Sequence, residues 1–566
     1  MLAVLNQTQH GKPSVRKRVT RTKRSRAGCR TCRLRKVKCD ETPGTCQRCA
    51  SSGRICDGYD LHRLPPATGR QNIGAVMPRL QPSIASHRFR GMTSDERRCF
   101  SYFRNRQIPA TLMFFDSALW KRLVLQMAQA ESAVYHAMIA LSAVHLDTEI
   151  KEVLVLHPEV SPDSALHLFA LEQLGRSYAQ LQLRCSSQDP YMLQVTLVTC
   201  LLYVMLDMIQ GQYETAFTHM QSGLRILKDL TPFKRQQDPF TASDLPVEGC
   251  LVAGFAFLDI GFMHFDFDGP PRLHLEEGLD FERTLLARQG FITSLQEGRQ
   301  AYNIIASALF QFLPQCWHLS DADIAAQYHR LQPRQIQLLS QTGRMLRIFD
   351  AFHAQHYSHL PPQEQQGFDI LIYHIHSFLL ALKICLVGSN HAARAAYTAD
   401  FQSLLVATQR LMHRFLPDRP SVTLDLGILP TLHLISTFCP DYRLRLQAFN
   451  LLKAWPHREG PFDSDLTAAL AMERMRKELT LMRDTDYHSH NAPAADRSIS
   501  KNERKPLTPA EIESLLAAIS PDDHRFFDTV DAPAVATRWA CFRIFFESDQ
   551  TLMNNIGCAV GRSGVD

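Results

Sequence analysis

The sequence predicts an all-α chain in two unequal parts, a small cysteine-organised module followed by a large all-helical body of packed helix pairs. Three observations predict it. Six cysteines between residues 29 and 56 follow one spacing laid down twice, Cys-x2-Cys-x6-Cys, among too few apolar residues to build a core of their own. From about residue 94 to 484, apolar residues recur at steps of three and four, and alternating β-branched runs are scarce. At 566 residues the chain exceeds the roughly 250 to 300 at which a single hydrophobic core stops growing.

The net charge of +6 hides an asymmetry. Residues 1–40 hold thirteen lysines and arginines against the single acid Asp40, so the rest of the chain is net acidic. Such a basic end is built to meet a polyanion. Its densest part, RKRVTRTKRSR, supplies Arg16, Lys17, Arg18, Lys23 and Arg24, the composition of a nuclear import signal, which can also act as an arm on phosphates. A solvated basic tail is the blander alternative. Apolar runs such as GCLVAGFAFLDIGF, residues 249–262, fall short of the roughly 18 residues that span a bilayer, so no membrane partner is expected. The opening MLAVLNQTQHGKPSVRKR places its apolar residues before its basic cluster, unlike a secretory signal.

A reducing compartment follows, in which dense cysteines hold metal more readily than disulfides. The cysteines outside the module, among them Cys99, Cys200, Cys316 and Cys439, stand singly in apolar surroundings and read as small buried hydrophobes.

Six thiolates at this spacing set a metal count. Zinc takes four ligands in a tetrahedron, and a closed thiolate shell marks a structural site. Cys29, Cys32, Cys39, Cys46, Cys49 and Cys56 fill the eight positions of two tetrahedra only if two sulfurs are shared. Cys29 and Cys46, the first members of equal halves, are the expected bridges. Two structural zinc ions are therefore predicted, with metal binding and folding one event, on the order of 10 kcal/mol or more per zinc. The inserts are unequal: the first half carries Arg30, Arg33, Arg35, Lys36 and Lys38, the second only Arg48 and Arg54. A metal store would use irregular short spacings without a basic insert, and a protein-binding zinc module would alternate ligands over a longer span.

The segment CRTCRLRKVKCDETPGTCQRCASSGRIC resembles the fungal six-cysteine binuclear zinc cluster, the DNA-binding module of a large class of fungal transcription factors. All six cysteines and the run RLRKVK match. Pro43 departs from the pattern, lying three residues before Cys46 where well-known members have proline two before. The resemblance implies a short helix after each first cysteine pair, the first of them entering the major groove of double-stranded DNA at a CGG-like promoter triplet. It places Lys36 and Arg35 at base-contacting positions, where Lys and Arg suit the guanine O6 and N7 acceptors. Arg30, Arg33 and Lys38 are expected on phosphates or against the cluster's own charge. It also implies a nuclear RNA polymerase II regulator, controlling a metabolic or secondary-metabolite gene cluster, that engages the transcription machinery or coregulators. The rival reading is a zinc-containing interaction scaffold without DNA readout.

Residues 61–93 carry Pro65, Pro66, Pro78 and Pro82 and no heptads, so no coiled coil follows the cluster. A homodimer, where one forms, must come from the helical domain. In that body Leu168, Leu171, Leu174, Tyr178 and Leu181 form one helical stripe and Tyr213, Phe217, Met220, Leu224 and Leu227 another. Gly211 breaks an antiparallel helix pair. FFDSALWKRLVLQMAQAESAVYHAMIALSAVH, QGQYETAFTHMQSGLRIL and DYRLRLQAFNLLKAWPHREGPFDS resemble pieces of the regulatory domain of filamentous-fungal members. No phosphate loop, His-Glu-x-x-His or nucleophile elbow is present, His374 and His376 read as ordinary helix histidines, and the chain is not expected to be an enzyme. The expected organisation is a basic arm over 1–27, the cluster over 28–60, a linker over 61–93, the regulatory domain over 94–484, a linker over 485–507 and a helical tail over 508–566. Within the tail, Thr508 caps an amphipathic helix, and PDDHRFFDTVD mixes acids with aromatics as activation segments do.

Overall fold

The structure, a computed structural model, describes residues 27–60, 62, 64, 92–115, 117–154, 165–184, 189–230, 247–262, 292–317, 319–388, 391–414, 419–460, 462–490 and 509–518. The basic arm through Arg26, most of the first linker and PDDHRFFDTVD lie outside the described residues. The chain divides into two compact units, Met1–Arg97 and Arg98–Asp566.

In the first unit, α1 (Arg30–Leu34) and α2 (Gln47–Ala50) are single turns that flank a shared cluster of cysteines. Helices this short do not stand alone in water. Here each begins on a cysteine whose sulfur accepts from the backbone N–H three residues on, Cys32 N to Cys29 Sγ and Cys49 N to Cys46 Sγ, both at 3.3 Å.

The second unit is helical almost throughout. After α3 (Ser94–Tyr102), whose first turn belongs to the first unit, and α4 (Ile108–Thr111), a first group holds α5 (Val124–Ala130), α6 (Ser132–Leu154), α7 (Ala165–Gln182), α8 (Pro190–Gln210), α9 (Tyr213–Leu230) and α10 (Val247–Phe262). α6 packs on α7 and α8, and α8 on α9. Gly211 ends α8 at φ 75°, a left-handed turn that glycine adopts without steric cost. A second group holds α11 (Leu295–Trp317), α12 (Asp321–His356), α13 (Pro362–Ile384), α14 (His391–Ala395), α15 (Thr398–Arg414), α16 (Leu429–Phe438), α17 (Tyr442–Ala454), α18 (Ser464–His490) and α19 (Pro509–Ala518). Its core centres on Phe349, Phe368, Phe401 and Leu432. α18 continues past residue 484 to His490, and α19 buries Ile512 and Leu515.

The described strands are three, of two residues each: β1 (Val422–Thr423), β2 (Arg458–Glu459) and β3 (Phe462–Asp463). β1 runs parallel to β2, and β2 antiparallel to β3. This scrap of sheet carries a buried polar junction. Glu459 accepts from the backbone N–H groups of Gly427, Ile428 and Leu429 at 2.8 to 2.9 Å, which satisfies the orphan donors at the start of α16.

Two expectations are corrected. α9 buries Phe217, Met220, Leu224 and Leu227 as its stripe predicts, but α7 buries Leu166, Phe169, Ala170, Gln173 and Ser177 instead of its longer stripe. α7 has two apolar faces, and periodicity alone does not say which one meets α6. The apolar runs are also longer than judged: Tyr191–Gln210 and Pro362–Ile384 are long and apolar enough to cross a membrane. Burial explains their composition, since 78% and 72% of those windows lie inside the protein, as expected of helices covered on all sides.

Candidate metal centre and nucleic-acid interface

The six cysteines converge. Cys29, Cys32, Cys46 and Cys49 are fully buried, Cys39 is 6% exposed and Cys56 is partly exposed. Their sulfurs form two groups of four, Cys29, Cys32, Cys39, Cys46 and Cys29, Cys46, Cys49, Cys56, with all ligand atoms of a group within 4.8 Å of one another. The groups share Cys29 and Cys46, whose sulfurs are 3.6 Å apart. The Cys29–Cys49 and Cys32–Cys46 separations are 3.8 and 3.7 Å. A tetrahedron with zinc–sulfur bonds of about 2.3 Å has edges of about 3.8 Å, so the donor set fits zinc in kind and spacing. Burial pushes the Cys29 and Cys32 thiols up, and Cys46 to about 12. Burial also opposes charge on Cys39, yet backbone N–H groups of Cys29 and Glu41 at 3.3 and 3.4 Å bring it down to about 7. A cation entering such a shell displaces protons and supplies the counter-charge.

The two halves repeat in backbone as well as in sulfur. Arg33 N donates to Cys29 O and Ala50 N to Cys46 O, both at 3.0 Å; Val37 N donates to Cys32 O at 3.0 Å and Arg54 N to Cys49 O at 3.1 Å. These are paired helix ends of the Schellman kind. The left-handed residue at the turn is Lys36 in the first half, φ 57°, and Gly53 in the second, φ 61°. Between the halves, Glu41 (φ 62°) and Gly44 (φ 76°) turn the chain around Pro43, and the Asp40 carboxylate accepts from Gln47 N and Arg48 N at 2.9 Å. The Thr42 hydroxyl bond, together with these two, holds the carboxyl well below the usual range.

The basic insert is not uniform. Lys36 and Lys38 are exposed. Arg35 is partly exposed and donates to Ser52 Oγ at 3.1 Å. Arg30 is 9% exposed and its guanidinium pairs with fully buried Glu96. That carboxylate also accepts from Thr93 N at 2.9 Å while Thr93 Oγ1 accepts from Glu96 N at 3.3 Å, a capping box at the start of α3. Arg33 pairs with Asp60 at 2.5 Å. These two arginines have carboxylates of this chain as partners, which sequence reasoning missed because both acids lie far along the chain. Arg16, Lys17, Arg18, Lys23 and Arg24 lie outside the described residues.

Comparison with known proteins supports the same assignment. The fungal Zn(2)-Cys(6) binuclear cluster domain matches residues 27–64, and the fungal specific transcription factor domain matches residues 98–262. The chain thus carries both domains of the fungal Zn(2)-Cys(6) transcription regulators, and the relatives it resembles are regulators of that kind. Among relatives of this family, the aspercryptin biosynthesis cluster-specific transcription regulator atnN of Emericella nidulans is 26% identical over 80% of this chain and 87% of its own. Transcription regulator lscL of Purpureocillium lilacinum is 28% identical over 35% of this chain and 48% of its own. The Zn(2)-C6 fungal-type transcription factor afumD of Aspergillus fumigatus is 29% identical over 28% of this chain and 40% of its own. No solved structure matches. The family binds zinc and DNA through its cluster, and its members are regulators of transcription rather than enzymes.

Proposed function

We propose that this zinc-cluster regulator is a nuclear RNA polymerase II factor that reads CGG-like triplets in promoter DNA and controls a biosynthetic gene set. The observation that carries the readout is Lys36. It stands exposed in a left-handed turn whose twin is Gly53, a conformation that disfavours any residue with a side chain, so a lysine kept there points to a use beyond the backbone. Its ammonium, with Arg35 beside it, reads guanine acceptors; Lys38 and the arm at Arg16, Lys17, Arg18, Lys23 and Arg24 bind phosphates and direct import.

Two zinc ions, bridged by Cys29 and Cys46, hold the module. Arg30 and Arg33, tied to Glu96 and Asp60, brace it and offset cluster charge rather than read bases. The biosynthetic role rests on the likeness to the aspercryptin cluster-specific regulator of Emericella nidulans. The helical body engages coregulators or the transcription machinery and carries any homodimer contact. The domain limits follow the sequence, arm 1–27, cluster 28–60, linker 61–93, regulatory domain from 94, linker to 507 and tail 508–566, except that α18 carries the regulatory domain past 484 to His490.

The test is competition binding of the full chain to duplexes with and without CGG at fixed salt. The expected outcome is a CGG preference that Lys36→Ala flattens, while Arg16→Ala weakens all duplexes alike. A zinc-loaded chain with no sequence preference would favour the scaffold reading instead.

A further inference from the structure

The C-terminal end of α16 gathers three arginines around one carboxylate. Arg445 comes from α17, Arg474 and Glu478 stand one turn apart on α18, and Arg394 comes from α14. Glu478 is shared three ways: its Oε2 accepts from Arg445 Nη1 at 2.6 Å and from the Tyr442 hydroxyl at 3.0 Å, and its Oε1 accepts from Arg474 Nε at 3.0 Å. Arg445 also donates through Nε to the Cys439 carbonyl. Arg394 has no such partner. Its Nε is buried without a hydrogen bond among the described residues, and its guanidinium, like that of Arg474, lies 5.6 Å from the centre of the Phe438 ring. An aromatic face attracts a cation, but it leaves a buried donor short of the hydrogen bond whose loss is costly. Burial, then the charges of Arg474 and Arg445, lower Arg394 to about 10 against the opposing fields of Glu478 and Asp321. The acids of the fold therefore leave this place electropositive.

We propose that Arg394 and Arg474 form a phosphate-binding site at the end of α16, for inorganic phosphate or the phosphate group of a small metabolite. Both guanidiniums lie against Phe438 and both have donors to spare, since Arg474 bonds through Nε alone among the described residues. A planar fork of donors matches a phosphate bidentately. Charge selects a dianion. Three arginines against Glu478 leave two positive charges, and Asp321 acts on Arg394 more weakly than any of the other three; a monocarboxylate would offset one of those charges and a phosphate both. Arg445, 3% exposed and with its donors engaged, holds Glu478 in place and supplies charge rather than contact. The site is reachable, because the side chains of Arg474 and Glu478 are each 28% exposed.

The test is thermal unfolding of the zinc-loaded full chain, followed by its helical signal, in phosphate rising to about 10 mM with chloride at matched ionic strength as the reference. The wild-type midpoint is expected to climb along a saturation curve with its half-maximum at about 1 mM or below. Arg394→Met removes the fork and keeps the length of the side chain. In chloride it should unfold no earlier than the wild type, because it deletes a buried donor without a partner, while its phosphate half-maximum moves up by about tenfold or more. Arg474→Gln should weaken phosphate likewise. Glycerol phosphate distinguishes the source: a half-maximum below that of inorganic phosphate assigns the site to a phosphorylated metabolite, and one above it to free phosphate. No phosphate-specific rise overturns the proposal, and so does a rise that both variants keep, since the basic arm or the cluster would then be the binder. An Arg394→Met chain destabilised equally in phosphate and chloride overturns it too, by making that arginine structural alone. No duplex enters these measurements, so their failure leaves the CGG reading untouched.

Discussion

Lys36 and Gly53 occupy equivalent places in two copies of one helix end, each in the left-handed region and each followed by an N–H that returns to the second cysteine of its half, Cys32 or Cys49. Glycine meets this geometry freely and lysine does not. Lys36→Gly therefore separates backbone from side chain more cleanly than alanine. The variant should fold and keep its metal, yet lose about 1 to 3 kcal/mol of discrimination for guanine-containing sites. Retained preference in competition binding would remove Lys36 from the readout.

The shared sulfurs make the six cysteines unequal. Cys29 belongs to both groups of four and Cys32 to one, so Cys29→Ala is expected to release both zincs and Cys32→Ala to loosen one first. Native mass spectrometry of the full chain should find two zincs in the wild type, and a count of one would defeat the bridged arrangement. Since burial holds the Cys29 and Cys32 thiols protonated until a cation enters, acid should strip the metal and alkali should not.

Glu459 accepts from three backbone N–H groups and meets His457 Nε2 at 2.9 Å. Removing it by Glu459→Ala strands those donors in a buried site and should cost about 3 kcal/mol or more. Urea unfolding of the body reports the loss, with zinc content as the unaffected control. Glu459→Gln keeps an acceptor and should cost less.

Asp207 has Oδ2 buried without a hydrogen-bond partner, and burial pushes its carboxyl up to about 7. His219 stands 3.7 Å away, but burial lowers its own basicity. A carboxyl raised in the folded state binds its proton more tightly there than in the unfolded chain, so this contribution to stability is present at acid pH and is lost as pH rises from about 4 through about 7. Asp207→Asn removes that dependence. Its thermal midpoint should gain on the wild type between pH 5 and pH 8, by about 2 kcal/mol in stability; an equal difference at both would contradict it.

The cysteine spacing alone pointed to two groups of sulfurs sharing Cys29 and Cys46, the grouping the fold brings together, because ligands close in sequence leave few ways to surround an ion. Helical periodicity likewise determined an all-α body, since the step between apolar residues is a local property. Tertiary structure decided which cations remain accessible: Arg30 and Arg33 look like Lys36 in sequence, but Glu96 and Asp60 reach them from later in the chain. It also decided that Tyr191–Gln210 is a core helix and that α7 turns Phe169 inward and Tyr178 outward. The reason is common to all three: burial and ion pairing depend on neighbours that meet only after the chain has folded, and no local pattern encodes them.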